Sequence, residues 1–162
     1  MPNALDQIRE RLSGVAEIYN RLVLLVGHSG SGRTALIREL ADAEGVPVLN
    51  VGLEISQRLL ELTERQRVLQ LPQLLEEAVE AFPSKLTLLD NTEVLFNTAL
   101  KQDPLRLLQG LSRDRTIVAS WLGEIDGHHL TYAVPEHPEF RQYPSADLLI
   151  VCLKQKMETL EG

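Results

Sequence analysis

Residues 21–34 read RLVLLVGHSGSGRT: an apolar run, a glycine-rich turn, and the opening of an amphipathic helix. Leu22-Val23-Leu24-Leu25-Val26 is short and apolar throughout, which predicts a strand buried on both faces. Leu36, Ile37 and Leu40 share one helical face over about 34–43, and Gly45 stands where such a helix stops. Between them, Gly27-His28-Ser29-Gly30-Ser31-Gly32-Arg33-Thr34 fits the pattern G-x-x-x-x-G-K-[ST], with arginine in the lysine place. A buried strand passing through glycines into a helix commits the chain to an α/β fold with a phosphate-binding loop.

The chemistry of that loop follows from its residues. Glycines let several backbone N–H groups curve inward around an anion, and the helix beyond adds its unpaired amides and the positive end of its dipole. Thr34 offers a hydroxyl suited to Mg²⁺ on the β- and γ-phosphates of a nucleotide such as ATP. Arg33 is longer, planar and wider than lysine, so its charge sits differently. The substitution weighs more against turnover than against binding, because phosphoryl transfer depends on charge placement.

The rest of the chain predicts the other layers. Leu5, Ile8, Leu12, Val15 and Tyr19 recur at helical spacing behind an Asn3 cap, giving a leading helix within residues 1–20. Residues 46–51, 85–90, 116–121 and 147–153 read as four further strands, and 54–82 as two helical stripes with a break near Pro72. Asp103-Pro104 is a cap followed by proline at the first helical position, ahead of Leu105, Leu108 and Leu111. Five apolar strands alternating with helices predict a three-layer, five-stranded, mostly parallel sheet covered on both faces, as one domain over 1–162. Residues 122–146 form an insertion before the last strand, and the turn-rich stretch 131–138 is a candidate partner-binding loop.

Bulk properties narrow the class further. Hydrophobic content of 44% and charged content of 24% fit a globular domain. No apolar run reaches membrane-spanning length and no signal-peptide pattern opens the chain, so a cytoplasmic protein without membrane contact is expected. A single cysteine, Cys152, excludes a disulfide framework and reads as core packing. The net charge of −7 argues against broad, charge-driven DNA binding and leaves only a local patch, such as Arg58, Arg65 and Arg67, or contact through partners. The same arginines also read as a solvated helix face.

Ligand is expected beyond the carboxyl ends of the strands. Asp90 closes the third strand there, placed to accept hydrogen bonds from water on the shell of a Mg²⁺ that Thr34 also meets, or else merely ending the strand. Glu93 and Asn91 compete for orienting the attacking water. Ser120, at the end of the fourth strand, is a candidate for touching the γ-phosphate or the water, or else a buried serine bonded to backbone. Arg141, with Arg113 and Arg115 as rivals, is a candidate to stabilise transition-state charge on a neighbouring subunit's nucleotide. His128, His129 and His137 lack the spacing and co-ligands of a metal site. A P-loop kinase would need an arginine-rich lid, and residues 122–146 carry only Arg141.

Gly27–Thr34, LLDNTEVLF at 88–96, KQDPLRLLQGLSRDRT at 101–116 and LTYAVPEHPEFRQYP at 130–144 together resemble the BrxF family. These are small P-loop proteins of bacteriophage-exclusion (BREX) defence operons. The resemblance implies an AAA+-like core without a C-terminal lid, nucleotide held by Gly27, Gly30, Gly32 and Thr34, and Asp90 on the metal. It further implies other BREX proteins as partners, self-association, and a part in restricting phage. The leading expectation is an ATP-binding component that hydrolyses ATP; a nucleotide-responsive interaction module with little or no hydrolysis is the alternative.

Overall fold

The computed structural model describes residues 3–14, 21–133 and 136–153. A first helix, α1 (Ala4–Gly14), precedes strand β1 (Leu22–Gly27) and helix α2 (Arg33–Glu44). Then come β2 (Val48–Asn50), α3 (Val51–Leu59), α4 (Glu64–Glu80) and β3 (Leu86–Asp90). Two 3₁₀ turns, Thr92–Phe96 and Thr98–Leu100, lead to α5 (Pro104–Leu111) and the long strand β4 (Thr116–Asp126). Strands β5 (His129–Tyr132), β6 (Arg141–Pro144) and β7 (Leu149–Cys152) complete the described chain. Asn3 caps α1 through a 2.8 Å bond from the Asp6 amide to its Oδ1. Val15 and Tyr19 of the expected leading stripe lie outside the described residues.

Five strands run parallel in the order β2-β3-β4-β1-β7. Because successive strand residues face opposite ways, each strand feeds two cores. Leu22, Leu24, Leu89, Ile117, Ala119 and Trp121 meet α3, α4 and α5 on one side. Val23, Leu25, Leu88, Val118 and Val151 meet Ile8 of α1 and Leu36, Ile37 and Leu40 of α2 on the other. The layers are those expected from the apolar runs.

The sheet has seven strands rather than five. β4 does not stop at Trp121 but continues to Asp126, and its far half pairs antiparallel with β5, which pairs with β6. The insertion is therefore a β-ribbon built onto the central strand. Thr131 and Tyr132, expected in a loop, are buried in β5, while residues 134–135 lie outside the described part. Gly123 is required where the ribbon begins, since a Cβ there would run into the Thr131 carbonyl.

Two further expectations are corrected. The break in 54–82 falls at Thr63, not near Pro72. Thr63 accepts from the Gln66 amide at 3.2 Å while Gln66 Oε1 accepts from the Thr63 amide at 2.9 Å, a capping box that starts α4 afresh. Pro72 sits inside α4, where its missing N–H leaves the Val68 carbonyl without a helical donor. Gln102 Nε2 donates to that carbonyl at 2.8 Å, and the helix continues. Gln102→Leu should therefore cost about 1–2 kcal/mol by leaving the Val68 carbonyl unpaired. In a Pro72→Ala background, where the helix supplies its own donor, the loss should shrink. Urea midpoints of the four chains check both statements.

Cys152 is the second correction: it is exposed, not core. β7 lies at the sheet's edge, and Val151 is its one fully buried residue, with Cys152 turned to the other face. Partial burial still pushes its thiol pKa up. The arginines read as a possible basic patch are largely committed within the chain. Arg58 pairs with Glu54 at 2.9 Å and Glu77 at 3.7 Å, and Arg67 donates to the Leu62 carbonyl at 3.1 Å.

Candidate functional site

β1 ends at Gly27, and the chain turns over the carboxyl edge of the sheet before entering α2. Gly27 is buried, and a Cβ there would strike Ser31 Oγ, so any larger residue would have to turn that hydroxyl aside. Gly30 and Gly32 have φ of 83° and 94°, left-handed values that side-chain-bearing residues resist. The Ser31 amide turns back to the His28 carbonyl at 3.1 Å and tightens the loop. No side chain caps the N-terminus of α2. Its first-turn amides are left for another acceptor. Ser31 itself is buried, with no hydrogen-bond partner for Oγ.

Thr34 and Asp90 meet beneath this loop. Thr34 Oγ1 donates to Asp90 Oδ2 at 2.8 Å, joining the start of α2 to the end of β3 across 56 residues of sequence. A hydroxyl beside a carboxylate is a hard-oxygen pair, the donor chemistry Mg²⁺ takes alongside phosphate oxygens and water. Among the described residues there is no group of three His, Cys, Asp or Glu able to hold a metal without such a ligand. The uncapped amides, the two left-handed glycines and the Thr34–Asp90 pair fit a magnesium-bound polyphosphate.

Arg33 does not lie free over the loop. Its Nη1 donates to Glu93 Oε1 at 3.2 Å, and the two side chains are only 15% and 29% exposed. Glu93 rides on the Thr92–Phe96 turn just after Asp90. The loop's cation and the candidate water-orienting carboxylate are therefore paired with each other.

Asn91 is used otherwise. It holds a left-handed φ of 54°, its Nδ2 donates to Asn50 Oδ1 at 3.0 Å, and its carbonyl accepts the Gly52 amide at 3.0 Å. It ties the ends of β2 and β3 and the cap of α3 together.

Ser120 sits mid-strand, because β4 runs on past it. It lies one residue beyond the Leu89–Ala119 pair, so it flanks Asp90, and alternation puts it on the α2 side with Leu88 and Val118. Its hydroxyl is fully buried without a partner, not bonded to backbone, while its carbonyl accepts from Thr92 Oγ1 at 2.6 Å.

Arg141 is placed in β6, where it donates to the Gln102 carbonyl at 2.7 Å. Among the described residues it makes no hydrogen bond or ion pair with the loop. Arg113 and Arg115 lie just before β4, at the opposite end of the parallel strands from Gly27. Arg115 donates to the Val79 carbonyl at 3.0 Å.

Two features escaped the sequence reading. His28 Nε2 and Glu124 Oε2 approach to 3.2 Å, linking the loop to the ribbon. An aromatic cluster, Phe96, Trp121, Tyr132 and Tyr143, joins the Glu93 turn to β5 and β6. Burial and then the charges of Glu139 and Glu93 push the Tyr132 pKa up to about 12, against the lowering effect of Arg33. Burial, then the Asp103 carboxylate that accepts its hydroxyl at 3.0 Å, raises Tyr143 as well.

No protein-family model matches the sequence, and no curated protein does. Among solved structures, the chain is similar to the replication initiator DnaA bound to AMPPCP and single-stranded DNA. The match covers 96% of this chain and 49% of that one, at 15% identity and a TM-score of 0.50. The chain has the P-loop NTPase fold. DnaA and PCH-2 are AAA+ P-loop proteins. The C. elegans PCH-2 structure aligns over 94% of this chain and 40% of its own, at 18% identity and a TM-score of 0.45. AMPPCP-bound DnaA from Aquifex aeolicus aligns over 70% and 35%, at 17% identity and a TM-score of 0.41. The chain thus spans about half the length of these P-loop proteins, or less.

Proposed function

We propose that the chain binds ATP with Mg²⁺ through Gly27–Thr34, and that nucleotide controls its assembly with itself or with partner proteins. The observation that carries this is the uncapped, glycine-shaped start of α2 directly above the Thr34–Asp90 pair. The setting we propose is a bacteriophage-exclusion (BREX) defence system in the bacterial cytoplasm. It is supported by the resemblance of the segments at 88–96, 101–116 and 130–144 to the BrxF family.

The roles divide by chemistry. Main-chain amides of Gly27, His28, Ser29, Gly30 and Gly32 cradle the phosphates, joined by that of Ser31 once it leaves the His28 carbonyl, with Arg33 adding charge. Thr34 and Asp90 would hold Mg²⁺, which would supply neutralisation of phosphate charge there. Glu93 orients or deprotonates the water, and Ser120 offers a buried hydroxyl beside Asp90. Arg141 reaches a neighbouring copy's nucleotide only if its bond to Gln102 opens.

Between an ATPase and a binding module, two observations favour binding with little turnover. Arg33 and Glu93 occupy each other, and Asn91, next to Asp90, is tied to Asn50. The test is thermal unfolding and phosphate release, for this chain and for Arg33→Lys. Saturation at 100 times Kd adds about 2.7 kcal/mol, which for a domain of this size raises Tm by roughly 5–10 °C. Slow phosphate release is expected for the chain as it stands, faster with lysine. No rise in Tm for either chain would refute nucleotide binding. Molar mass in solution with and without ATP and Mg²⁺ tests the control of assembly.

A further inference from the structure

We propose that Tyr132 is a positioning residue for Glu93: by stacking on Phe96 it fixes the turn that carries Glu93, and so couples the β5–β6 ribbon to whether Arg33 is kept by carboxylate or released to phosphate. The second half rests on the nucleotide reading; the first does not.

The turn Thr92–Phe96 is held at both ends by the sheet. At its start, Thr92 Oγ1 donates to the Ser120 carbonyl of β4 at 2.6 Å. At its end, Phe96 stacks on Tyr132 with centroids 3.5 Å apart and planes 8° from parallel. Trp121 closes the cluster edge-on, 5.0 Å from Phe96 at 88° and 6.4 Å from Tyr132 at 89°. Its Nε1 donates to the Thr131 carbonyl at 3.0 Å, which locks the cluster to β5. Glu93 lies between these two anchors and is itself partly buried, so its carboxylate goes where the turn goes. Phe96 and Trp121 are 2% and 0% exposed, and close-packed rings transmit displacement rather than absorb it.

The Tyr132 hydroxyl also lies within the fields of Glu93 and Arg33, which act on its acidity in opposite directions. On the ribbon side, Tyr132 stands in register with Arg141, and Arg141 and Tyr143 grip Gln102 and Asp103. A load on the ribbon thus meets the Glu93 turn through Tyr132.

Spatial continuity alone does not establish coupling, so the test is a cycle. Trp121 is the chain's single tryptophan and sits in the cluster, so its emission reads the cluster directly. Without nucleotide, Glu93→Gln should shift Trp121 emission when Tyr132 is present and fail to do so in Tyr132→Leu. Tyr132→Phe, which keeps the ring, should restore the shift. An equal shift with and without Tyr132, or none in either, overturns the proposal. For nucleotide, Tyr132→Leu should tighten ATP binding about threefold in the parent chain and leave it unchanged in Glu93→Gln. Equal effects in both backgrounds would also overturn it. If the parent chain binds no ATP, the nucleotide reading fails while the emission cycle still decides whether Tyr132 positions Glu93. Should Tyr132→Leu not fold, Phe96→Leu removes the same stack from the other side and is judged by the same outcomes.

Discussion

Glu93→Gln is expected to bind ATP about fivefold more tightly than the parent chain while losing whatever phosphate release the parent shows. Arg33 can add its charge to the phosphates only by leaving Glu93, from which it is 3.2 Å away. Exposed ion pairs contribute up to about 1 kcal/mol, and this pair, with side chains 15% and 29% exposed, belongs at the upper end of that range. About 1 kcal/mol is a factor of about five in affinity. Glutamine keeps the size of the side chain and an acceptor oxygen but not the charge, so it holds the guanidinium less firmly. It is also a poor base, and removing a general base lowers turnover about 100-fold or more. Calorimetric titration with ATP and Mg²⁺, beside a phosphate-release assay, reads both effects on one protein. Weaker binding in the variant would show that Glu93 does not hold Arg33 back.

The second large effect is expected at Asp90. Asp90→Ala removes the acceptor of the Thr34 hydroxyl and the negative charge facing the metal position. A charge-assisted interaction contributes about 1.5–3 kcal/mol, so affinity in the presence of Mg²⁺ should fall roughly 10–100-fold. Affinity measured in EDTA should hardly change, because the amide cradle remains. Thr34→Val should reproduce the same pattern more mildly. Equal losses with and without Mg²⁺ would instead assign Asp90 to shaping the loop.

What the sequence made legible was local. The buried strands, the glycine loop, the Asp103 cap and the Gly45 stop each depend on residues a few positions apart, and each lies where its pattern puts it. Pairings across the fold, that of Thr34 with Asp90 apart, had no such signature. Arg33 and Glu93 stand 60 residues apart, and nothing in either neighbourhood says that they meet. The break near Pro72 was misplaced because the donor that relieves Pro72, Gln102, comes from a distant loop. β4 read as ending at Trp121 because glycine and glutamate, Gly123-Glu124, follow close behind, yet the backbone goes on pairing while the side chains alternate. A usable signal was present: Leu130 and Tyr132 alternate with polar neighbours after the turn at Gly127. Cys152 misled for the opposite reason, since an apolar run on an edge strand still has one side facing water.

The length of β4 has a mechanical consequence. Its first half is flanked by β1 and β3, and its second half is the strand on which β5 and then β6 are laid. Whatever grasps the tip near Gly127 therefore hauls on the innermost strand rather than peeling an edge. A pull along β4 is resisted in shear by two parallel neighbours at once, so the root of the ribbon is as firmly held as the middle of the molecule.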